Sequence, residues 1–559
     1  MAKDRFALGI DYGTESGRVV VVRVRDGKEV ASAVVPYPDG VMDEKLPGGV
    51  RLEPDWAVQN PRDYLRVVEK GVPKALKAAK VKPEEVVGIG TDFTASSPMP
   101  VKRDGTPLCS LPEYRKHPHA WVKLWKHHAA QREANRINDV GRERNEEFIR
   151  IYGGKYSSEW FFSKLLQVLD EAPDIYDAME RFIEAADWIV WQLTGEEKRN
   201  TCTAGYKAMW VKGKGFPSRD FFRALHPRME NVIEQKVGTR FYPLGEKGGG
   251  LTAFWAKKTG LKEGTPVSIG NVDAHVAVPA TTVVRPGSLV MIMGTSICHM
   301  LLGTERQMVE GMCGTVEDGI VPGFWGYEAG QSAVGDIFAW FFEHGVPEYI
   351  HREARKLKVP YALALEKRAA ALQPGESGLL ALDWWNGNRS ILVDVDLTGM
   401  CLGMTLATRA EEIYRALIEA TAFGTRQIIE AFESKGIEVK DLMACGGLPE
   451  KNELLMQIYA DVTGREIRLA ERLQTCSALG AAMHGAVAAG RAGGGYDSIF
   501  EAAAPMGHTQ KRTYKPRPQH HEVYNRLFTE YRALHDYFGR GTNDVMKRLK
   551  ELKRQMTAS

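Results

Sequence analysis

The chain has 559 residues, of which 44% are hydrophobic and 26% are charged. This length and balance predict two or three globular domains and exclude a disordered or fibrous protein. The 74 basic and 71 acidic residues leave a formal net charge of +3, so composition favours a small-molecule partner over nucleic acid or a membrane surface.

The cellular context is predicted from the N-terminal sequence and the cysteines. The opening MAKDRFALGIDYG lacks the apolar segment of a signal peptide, and no apolar run approaches the ~20 residues that span a bilayer. We therefore expect a cytoplasmic protein. Seven cysteines are scattered without a CxxC pair, and no HExxH motif occurs, which predicts reduced and mostly buried thiols rather than metal ligands.

The first part of the chain predicts strands that end in small polar residues. Residues 6–35 predict two strands around Gly13-Thr14-Glu15-Ser16 and a third strand after a tight turn at Asp26-Gly27. A helix is predicted over 61–79. It precedes an apolar run that ends at Thr91-Asp92-Phe93-Thr94-Ala95-Ser96, and strand ends of this kind line pockets in α/β proteins.

The next part of the chain predicts mainly helices. Aromatic and apolar residues at helical spacing predict a core-facing helix over 119–135, and a second helical region over 159–195 ends at Thr194-Gly195. Residues 200–207 predict a loop of small residues that ends in a basic side chain. Glycines surround a short predicted helix at 252–259.

Two strand ends lie close together in the central stretch of the sequence, residues 265–297. An apolar run ends at Gly270-Asn271-Val272-Asp273, so Asp273 is predicted where a strand opens into a helix. Sheets of α/β proteins place catalytic groups at this position, although an acidic residue there can also be a simple helix cap. The second run ends at Gly294-Thr295-Ser296, a turn whose N–H groups and hydroxyls suit phosphate oxygens.

The second half repeats the alternation of strands and helices. The sequence predicts an aromatic helix over 336–344 and a long amphipathic helix over 410–434 with a glycine stop. A strand at 441–445 enters a Gly-Gly turn, where the backbone can approach a ligand closely. A small-residue helix is predicted over 477–490, and the basic amphipathic tail after 541 predicts a packing helix rather than a membrane helix.

Several common nucleotide-binding motifs are absent from the sequence. None of the Gly-Lys pairs is followed by Ser or Thr as a P-loop requires, and the protein-kinase and dinucleotide fingerprints are missing. What remains is Gly-Thr or Gly-Gly strand ends at 13–14, 294–295 and 446–447. Their distribution over two halves is typical of an actin-like nucleotide cleft, and the echo of Ile10–Thr14 in Ile292–Ser296 suggests a duplicated fold.

With these motifs, the chain resembles the FGGY carbohydrate kinases of the actin-like superfamily over nearly its whole length. The matching segments are GIDYGTESGRVVV, GTDFTASSPMPVKRDGTPL, HAWVKLWKHHAA, GLKEGTPVSIGNVDAH, MGTS and ACGGLPEKNELLMQIYADVTGREI. One departure lies in SSEWFFSKLLQVLDEAP, where Gln167 replaces the family's usual Trp. This departure argues against the glycerol and xylulose branches.

The resemblance implies an α/β fold of two actin-like (ribonuclease H-like) domains with the active-site cleft between them. Each domain is expected to contain a mixed five-stranded sheet flanked by helices. An N-terminal sugar-binding and catalytic-base domain is implied over 1–284, and a C-terminal ATP-binding domain with further C-terminal helices over 285–559.

The same resemblance implies transfer of the γ-phosphoryl group of ATP to a sugar hydroxyl. A carboxylate must accept the hydroxyl proton, and Asp273 matches the family's general base. Asp11 and Asp273 are expected to hold Mg²⁺, partly through water. ATP-binding positions are implied at Gly13, Thr14, Ser16, Arg18, Gly294, Thr295, Gly335, Gly446, Gly447 and Asn452. Sugar-binding positions are implied at Ala95, Ser96, Trp125, Lys207, Asp273 and Glu328.

The residue types alone leave simpler roles open at several of these positions. Asp11 could be a strand-end cap, Gly335 a helix start and Trp125 a core aromatic residue. The remaining three, Arg18, Lys207 and Glu328, could be solvated charges.

The expected substrate is a ketopentose. Residues 92–97, Lys207 and Glu328 resemble the corresponding positions of family members that phosphorylate ketopentoses. Glycerol kinases instead have an Arg-Glu pair after the strand that ends near Asp92. Ala95 leaves room for a five-carbon chain, and Lys207 and Glu328 can donate to and accept from sugar oxygens. We expect phosphorylation of L-ribulose, or a related 2-ketopentose, at O5, as in L-arabinose catabolism.

Two alternatives stay open at this point. One is another kinase of the family that acts on D-ribulose, ribitol or xylulose, and the other is a non-catalytic actin-like ATP-binding module. Nucleic acid and membrane partners are not expected, and a homodimer is left open.

Overall fold

The computed structural model describes residues 3–557, in which strands and helices alternate along the chain. The strands are β1 (Phe6–Tyr12), β2 (Ser16–Arg23), β3 (Glu29–Pro36), β4 (Val58–Gln59), β5 (Val86–Phe93), β6 (Pro98–Val101), β7 (Val122–Lys123), β8 (Arg181–Glu184), β9 (Arg199–Asn200), β10 (Phe241–Tyr242), β11 (Lys247–Gly250), β12 (Pro266–Ser268), β13 (Asn271–Val272), β14 (Ser288–Met293), β15 (Ile297–Gly303), β16 (Gly314–Glu317), β17 (Trp325–Gln331), β18 (Leu380–Leu382), β19 (Met400–Leu402), β20 (Asp441–Cys445), β21 (Ile467–Ala470) and β22 (Thr509–Tyr514). The α-helices are α1 (Pro61–Arg66), α2 (Val72–Ala79), α3 (Gln131–Glu143), α4 (Glu147–Ile151), α5 (Phe161–Glu171), α6 (Pro173–Ala178), α7 (Ala185–Thr194), α8 (Thr201–Lys207), α9 (Arg219–Leu225), α10 (Ala253–Thr259), α11 (Asp273–Ala280), α12 (Gly335–His344), α13 (Glu348–Leu357), α14 (Tyr361–Ala371), α15 (Ala410–Glu433), α16 (Gly447–Lys451), α17 (Glu453–Thr463), α18 (Cys476–Ala489), α19 (Ile499–Met506), α20 (Pro518–Gly539) and α21 (Val545–Thr557).

The first large sheet is built from the N-terminal half of the chain. Its strand order is β11-β12-β5-β1-β2-β3, and β13 pairs with β5 beyond β12. Strands β1 and β5 are parallel, whereas β1, β2 and β3 form the antiparallel meander that residues 6–35 predicted. One face of the sheet packs on α1, α2, α7 and α10, and the other packs on α11 and α18.

The second large sheet is built from the C-terminal half. Its strand order is β16-β17-β15-β14-β20-β21-β22. Strands β14, β20 and β21 are parallel, and the outer strands are antiparallel to their neighbours. One face is covered by α12 to α15, α17 and α20, and the other by α11 and α18. Helices α11 and α18 therefore lie between the two sheets.

The predicted class of two mixed α/β sheets flanked by helices is confirmed, but each sheet has seven strands rather than five. The first sheet contains the glycine-rich strand β11 (KGGG), which was not predicted. The predicted strand before Asp273 is interrupted near Gly270 and forms two short strands, β12 and β13. Strand β11 lacks the β-branched residues that make a strand recognisable in a sequence.

A third apolar core lies in the insertion between β5 and β11. It contains α3 to α6 and α9, and β7 of the insertion pairs with β4, which lies outside it. The predicted helix over 119–135 is wrong in its first part, because β7 pairs with β4 and α3 begins only at Gln131. The predicted loop at 200–207 is also wrong. Asn200 Oδ1 accepts a hydrogen bond from Thr203 N and so starts a helix, α8.

Two further expectations concern the membrane and the cysteines. Between residues 3 and 557, no helix is both long and apolar enough to span a bilayer. The seven cysteines lie in this range as free thiols, and five of them are buried.

Helix α18 lies directly on the backbone of the first sheet. Gly9 of β1 and Gly88 and Gly90 of β5 face it, and a Cβ atom at these positions would lie 1.8, 2.0 and 1.8 Å from carbonyl oxygens of α18. The helix can approach this closely only because these strand positions lack side chains. Because side chains alternate along a strand, Asp11 and Asp92 follow these glycines on the same face of the sheet.

We expect Gly90→Ala to destabilise the protein, because the added Cβ would collide with the Ala481 carbonyl oxygen in a packed interface. The free energy of unfolding should fall by about 1–3 kcal/mol or more, which urea denaturation would measure. Gly493→Ala is the matched control, since Gly493 is exposed and its Cβ would make an ordinary 3.4 Å contact with Ala489. Equal stability of the two variants would contradict the close helix–sheet contact.

Candidate active site

Three carboxylates meet where strands of the first sheet end. Asp11 of β1 and Asp92 of β5 are directly paired in the parallel register. Strand β13 pairs with the same end of β5 and leads into Asp273, the first residue of α11. The prediction that Asp273 lies where a strand opens into a helix is therefore confirmed.

Asp92 is buried, Asp11 and Asp273 are half-buried, and the pKa of each carboxyl group is raised. Burial and the charge of Asp11 raise the pKa of Asp273 to about 7, although the Ala274 N–H, 2.6 Å from Asp273 Oδ1, opposes the shift. Burial and the charges of Asp11 and Asp273 raise the pKa of Asp92 well above its usual range. No N–H or O–H group in residues 3–557 donates to the Asp92 oxygens. A carboxylate with a pKa near neutrality is suited to proton transfer at physiological pH.

A buried ion pair joins the two halves beside these carboxylates. Lys207 ends α8, and its Nζ lies 3.0 and 2.9 Å from the two carboxylate oxygens of Glu328 in β17. Arg389 Nη2 donates to Glu328 Oε1 at 3.0 Å, and His275 Nε2 lies 3.3 Å from Oε2. The charges of Glu328 and Lys207 both act on Asp273, so the ion pair adjoins the carboxylate cluster.

The charges around Glu328 explain why it stays ionised in a buried site. Burial alone would raise the pKa of Glu328, but Lys207, His275 and Arg389 hold it well below its usual range. Burial alone would likewise lower the pKa of Lys207, and the Glu328 carboxylate keeps it above its ordinary value. The pair therefore holds a cationic donor and an anionic acceptor side by side in a buried position.

The first candidate phosphate loop is attached to an aromatic side chain of the insertion. Thr14 Oγ1 accepts a hydrogen bond from Trp125 Nε1 at 3.1 Å, and Gly13 N donates to Ser16 O at 3.1 Å. Arg18 of β2 pairs in register with Asp11 and opposes the rise in its pKa. Gly13, Thr14, Ser16, Arg18 and Trp125 are thus brought together with Asp11.

The second and third candidate loops lie in the C-terminal half. Gly335 N donates to Gly294 O at 3.2 Å, and Val334 N donates to Thr295 O at 2.8 Å, so α12 begins against the Gly294-Thr295 turn. Gly446 has a φ of 100°, and a Cβ there would lie 2.2 Å from the Met293 carbonyl oxygen. A Cβ at Gly447 would meet only open space. The Gly294-Thr295 and Gly446-Gly447 turns follow the parallel neighbours β14 and β20, so they lie at one edge of the second sheet.

One predicted nucleotide-binding side chain is engaged within the protein. Asn452 Oδ1 accepts from Leu455 N at 2.8 Å and caps α17, while its Nδ2 donates to the Tyr414 hydroxyl at 2.8 Å. Its role in ATP binding stays a prediction.

Comparison with known proteins identifies the family. Residues 6–279 match the model of the N-terminal domain of the FGGY family of carbohydrate kinases, and residues 289–489 match the model of its C-terminal domain. The chain belongs to the FGGY family of carbohydrate kinases.

Relatives of this FGGY kinase cover nearly its whole length. The ribulokinase of Geobacillus thermodenitrificans is 59% identical over 556 residues, which are 99% of this chain and 98% of that protein. The ribulokinase of Mycolicibacterium smegmatis is 49% identical over 551 residues, covering 98% of this chain and 96% of the other.

Solved structures of more distant relatives share the fold. A xylulose kinase from Rhodospirillum rubrum aligns with a TM-score of 0.77 at 21% identity, over 96% of this chain and 99% of the other. A gluconate kinase from Lactobacillus acidophilus aligns with a TM-score of 0.79 at 16% identity, again over 96% and 99%.

Membership of this family makes the chain an enzyme that uses ATP as phosphate donor for a sugar. The kinase interpretation of the sequence is confirmed, and the non-catalytic ATP-binding module is excluded.

Sequence reasoning missed two buried charged residues of this FGGY kinase that support the candidate sugar site. Lys164 Nζ donates to Ser96 O at 2.7 Å and to Leu124 O at 2.8 Å, and so connects the segments that carry Ala95 and Trp125. Glu184 accepts from the Ser96 hydroxyl and from Ser97 N. A lysine inside the apolar run FFSKLLQVL was the available signal, since lysine is rarely buried without a specific partner.

The placement of Ser96 differs from that of its neighbour Ala95. Ser96 is fully buried and its hydroxyl is bound to Glu184, whereas Ala95 is only partly buried. Direct binding of sugar by Ser96 stays a prediction, and in this structure its side chain anchors the loop.

We expect Lys164→Met to weaken sugar binding, because the Lys164 ammonium connects the Ser96 and Leu124 carbonyls and its loss releases the segments around Ala95 and Trp125. An unsatisfied buried carbonyl costs about 1–3 kcal/mol, so both the melting temperature and the apparent sugar affinity should fall, the affinity by roughly tenfold or more. Calorimetric unfolding and steady-state kinetics would measure these effects.

Lys102→Met is the matched control for this experiment. Its Nζ also donates to one backbone carbonyl, Ala178 O at 2.7 Å, but it contacts neither sugar-site segment. A similar increase in sugar KM for both variants would show that Lys164 has no special role.

Proposed function

We propose that this FGGY kinase transfers the γ-phosphoryl group of ATP to O5 of L-ribulose, with Asp273 as the general base. The observation that carries the proposal is the adjacency of the half-buried Asp273 carboxylate, whose pKa is raised to about 7, and the buried Lys207–Glu328 pair. The first group can take a proton, and the second can hold sugar oxygens. Relatives that cover nearly the whole chain are named ribulokinases, which supports this substrate class.

The proposed reaction begins with the sugar hydroxyl beside Asp273. A hydroxyl is a weak nucleophile at neutral pH, so Asp273 accepts its proton as the oxygen attacks the γ-phosphorus of ATP. The Ala274 N–H bonded to Asp273 Oδ1 leaves the second carboxylate oxygen for the substrate. Burial of the site excludes water that would otherwise compete as phosphate acceptor.

The two halves of the chain are proposed to divide the substrates between them. Residues 1–284 would supply the base, the first phosphate loop and most sugar contacts, and residues 285–559 would supply the remaining nucleotide contacts around Gly294, Gly335 and Gly446. Glu328 is the exception, because it reaches the sugar side from the C-terminal half through Lys207.

The carboxylate cluster fits a magnesium ion. The oxygens of Asp92 receive no hydrogen bond from residues 3–557, and the like charges of Asp11 and Asp273 repel one another in a buried site, so a cation would relieve both conditions. No three His, Cys, Asp or Glu side chains in this range form a metal site unaided, and phosphate and water oxygens would complete the shell. Asp11, with Asp273 through water, would hold the ion, which when bound neutralises phosphate charge.

We expect Asp273→Asn to abolish turnover while sugar binding survives. The amide is nearly isosteric but cannot accept the proton, so kcat should fall by roughly 10²–10⁴-fold, the usual contribution of a general base. A coupled ADP assay would measure kcat, and isothermal titration with L-ribulose would measure binding.

Asp63, a buried aspartate outside the candidate site, provides the matched control. Asp63 accepts one hydrogen bond, from Asp39 N at 3.1 Å, and an asparagine oxygen can retain it. Asp63→Asn should therefore keep kcat within about threefold of the wild type. Near wild-type turnover in Asp273→Asn would disprove the role of the base.

We expect kcat/KM to be highest for L-ribulose, lower for D-ribulose, the xyluloses and ribitol, and lowest for glycerol. A substrate that lacks the oxygens facing Lys207 and Glu328 leaves buried polar groups unpaired, at about 1–3 kcal/mol for each group. Steady-state kinetics over this panel, with the product position set by ³¹P–¹H correlation, would test the order. Preference for glycerol, or phosphate on a carbon other than C5, would contradict the proposed substrate.

A further inference from the structure

Among the partners of Glu328 within residues 3–557, Arg389 comes from a loop, whereas Lys207 and His275 lie in helices. Its Nη2 donates to Glu328 Oε1 at 3.0 Å. Its side chain lies across Gly330 of β17, where a Cβ would come within 3.0 Å of Arg389 Cδ. Arg389 and Lys207 thus both contact Glu328 Oε1, and any movement of the loop that carries Arg389 changes how that carboxylate is held.

We name residues 387–396 the Arg389 loop. It is a closed turn, because Asn388 N donates to Asp394 O and Asp394 N donates to Asn388 O, both at 2.8 Å. Inside the turn, Leu392 N donates to Asn388 Oδ1 at 2.9 Å. Ser390 Oγ accepts from Gly330 N at 3.2 Å, which fixes the turn to the strand that carries Glu328.

The outer side of the Arg389 loop is held by the C-terminal helix α21. Lys547 Nζ lies 2.8 Å from Asp394 Oδ2, and Lys550 Nζ donates to Val395 O at 2.6 Å. Arg554 Nη2 donates to Asp396 Oδ1 at 2.8 Å, and Lys550 lies 3.3 Å from the same oxygen. Basic residues on successive turns of α21 thus contact two acidic residues and one carbonyl of the loop.

Other contacts confine the same loop between the two halves. A Cβ at Gly539, the last residue of α20, would lie 2.2 Å from Leu392 Cδ1. On the opposite side, Lys155 of the insertion donates to Val393 O at 3.2 Å. The loop therefore connects the C-terminal helices, the insertion and Glu328, with Arg389 at its centre.

We propose that α21 is a positioning element for the sugar site: it holds the Arg389 loop so that Arg389 orients Glu328 for the substrate. This inference rests on the proposed role of Glu328 in sugar binding. It gives the basic face of α21 a function within the enzyme, since its charges complement Asp394 and Asp396. Arg389 acts through Glu328 and is a positioning residue rather than a catalytic one.

The test is a charge reversal in α21 with a charge-swapped rescue. We expect Lys547→Glu with Lys550→Glu to raise the Kd and KM for L-ribulose about three- to tenfold, because exposed ion pairs contribute modestly and act here together. The kcat and the KM for ATP should stay within twofold. Adding Asp394→Lys and Asp396→Lys should restore sugar affinity, and Arg389→Met should weaken it beyond the double variant.

Arg548→Glu is the matched control in the same helix. Arg548 donates to Asn543 at the start of α21, not to the Arg389 loop. This variant should leave sugar affinity within twofold of the wild type. A loss equal to that of the double variant would mean that general charge, rather than the loop contacts, matters, and would overturn the proposal.

Hydrogen exchange of residues 387–396 separates this inference from the proposed function, because it needs no substrate. The double variant should exchange faster at Asn388 and Asp394, and the swapped variant should recover protection. Unchanged exchange would show that α21 does not hold the loop. Faster exchange with unchanged sugar affinity would show that the loop does not position Glu328. If another sugar has the highest kcat/KM, the proposed substrate is wrong, and the same variants are measured with that sugar.

Discussion

The backbone contact between α18 and the first sheet is the constraint on which the rest of the structure depends. Helix α18 lies within the C-terminal family domain, whereas β1 and β5 lie within the N-terminal one. Helix α11, which begins with Asp273, packs on the same helix, and a Cβ at Gly480 would lie 1.9 Å from the Val276 carbonyl oxygen. With no side chains between these backbones, small displacements produce clashes, so Asp273 is fixed relative to both sheets.

The electrostatics of the cleft depend on which partners each buried carboxylate meets. The pKa of Asp273 is raised, whereas that of Glu328 is lowered. Burial acts in the same direction on both, so the difference comes from neighbouring charges: Asp11 beside the first, and Lys207 and Arg389 beside the second. Two carboxylates in one cleft are thereby suited to different tasks, one to accepting a proton and the other to accepting hydrogen bonds.

The sequence predicted features whose cause is local and missed those whose cause is a distant partner. The turn at Gly446 was predictable because its φ of 100° favours glycine, so the glycine in the sequence indicates the turn. Arg389 and Lys164 were not predicted as site residues, since their partners Glu328 and Ser96 lie 61 and 68 residues away in the sequence. Helical spacing also gave a wrong prediction over the first part of 119–135, where residues with helical periodicity instead form strand β7, which pairs with β4.

The ion pair between Lys207 and Glu328 connects the proposed sugar site to the contact between the two halves. The two side chains belong to different halves, so separating the halves would leave two buried charges without each other. An unpaired buried charge is costly, and the pair therefore stabilises the contact between the halves. Under the proposed function, a sugar must supply oxygens to both groups, because a substrate without them would leave buried polar groups with fewer partners. Under that proposal, selection of the sugar and the contact between the halves depend on the same two side chains.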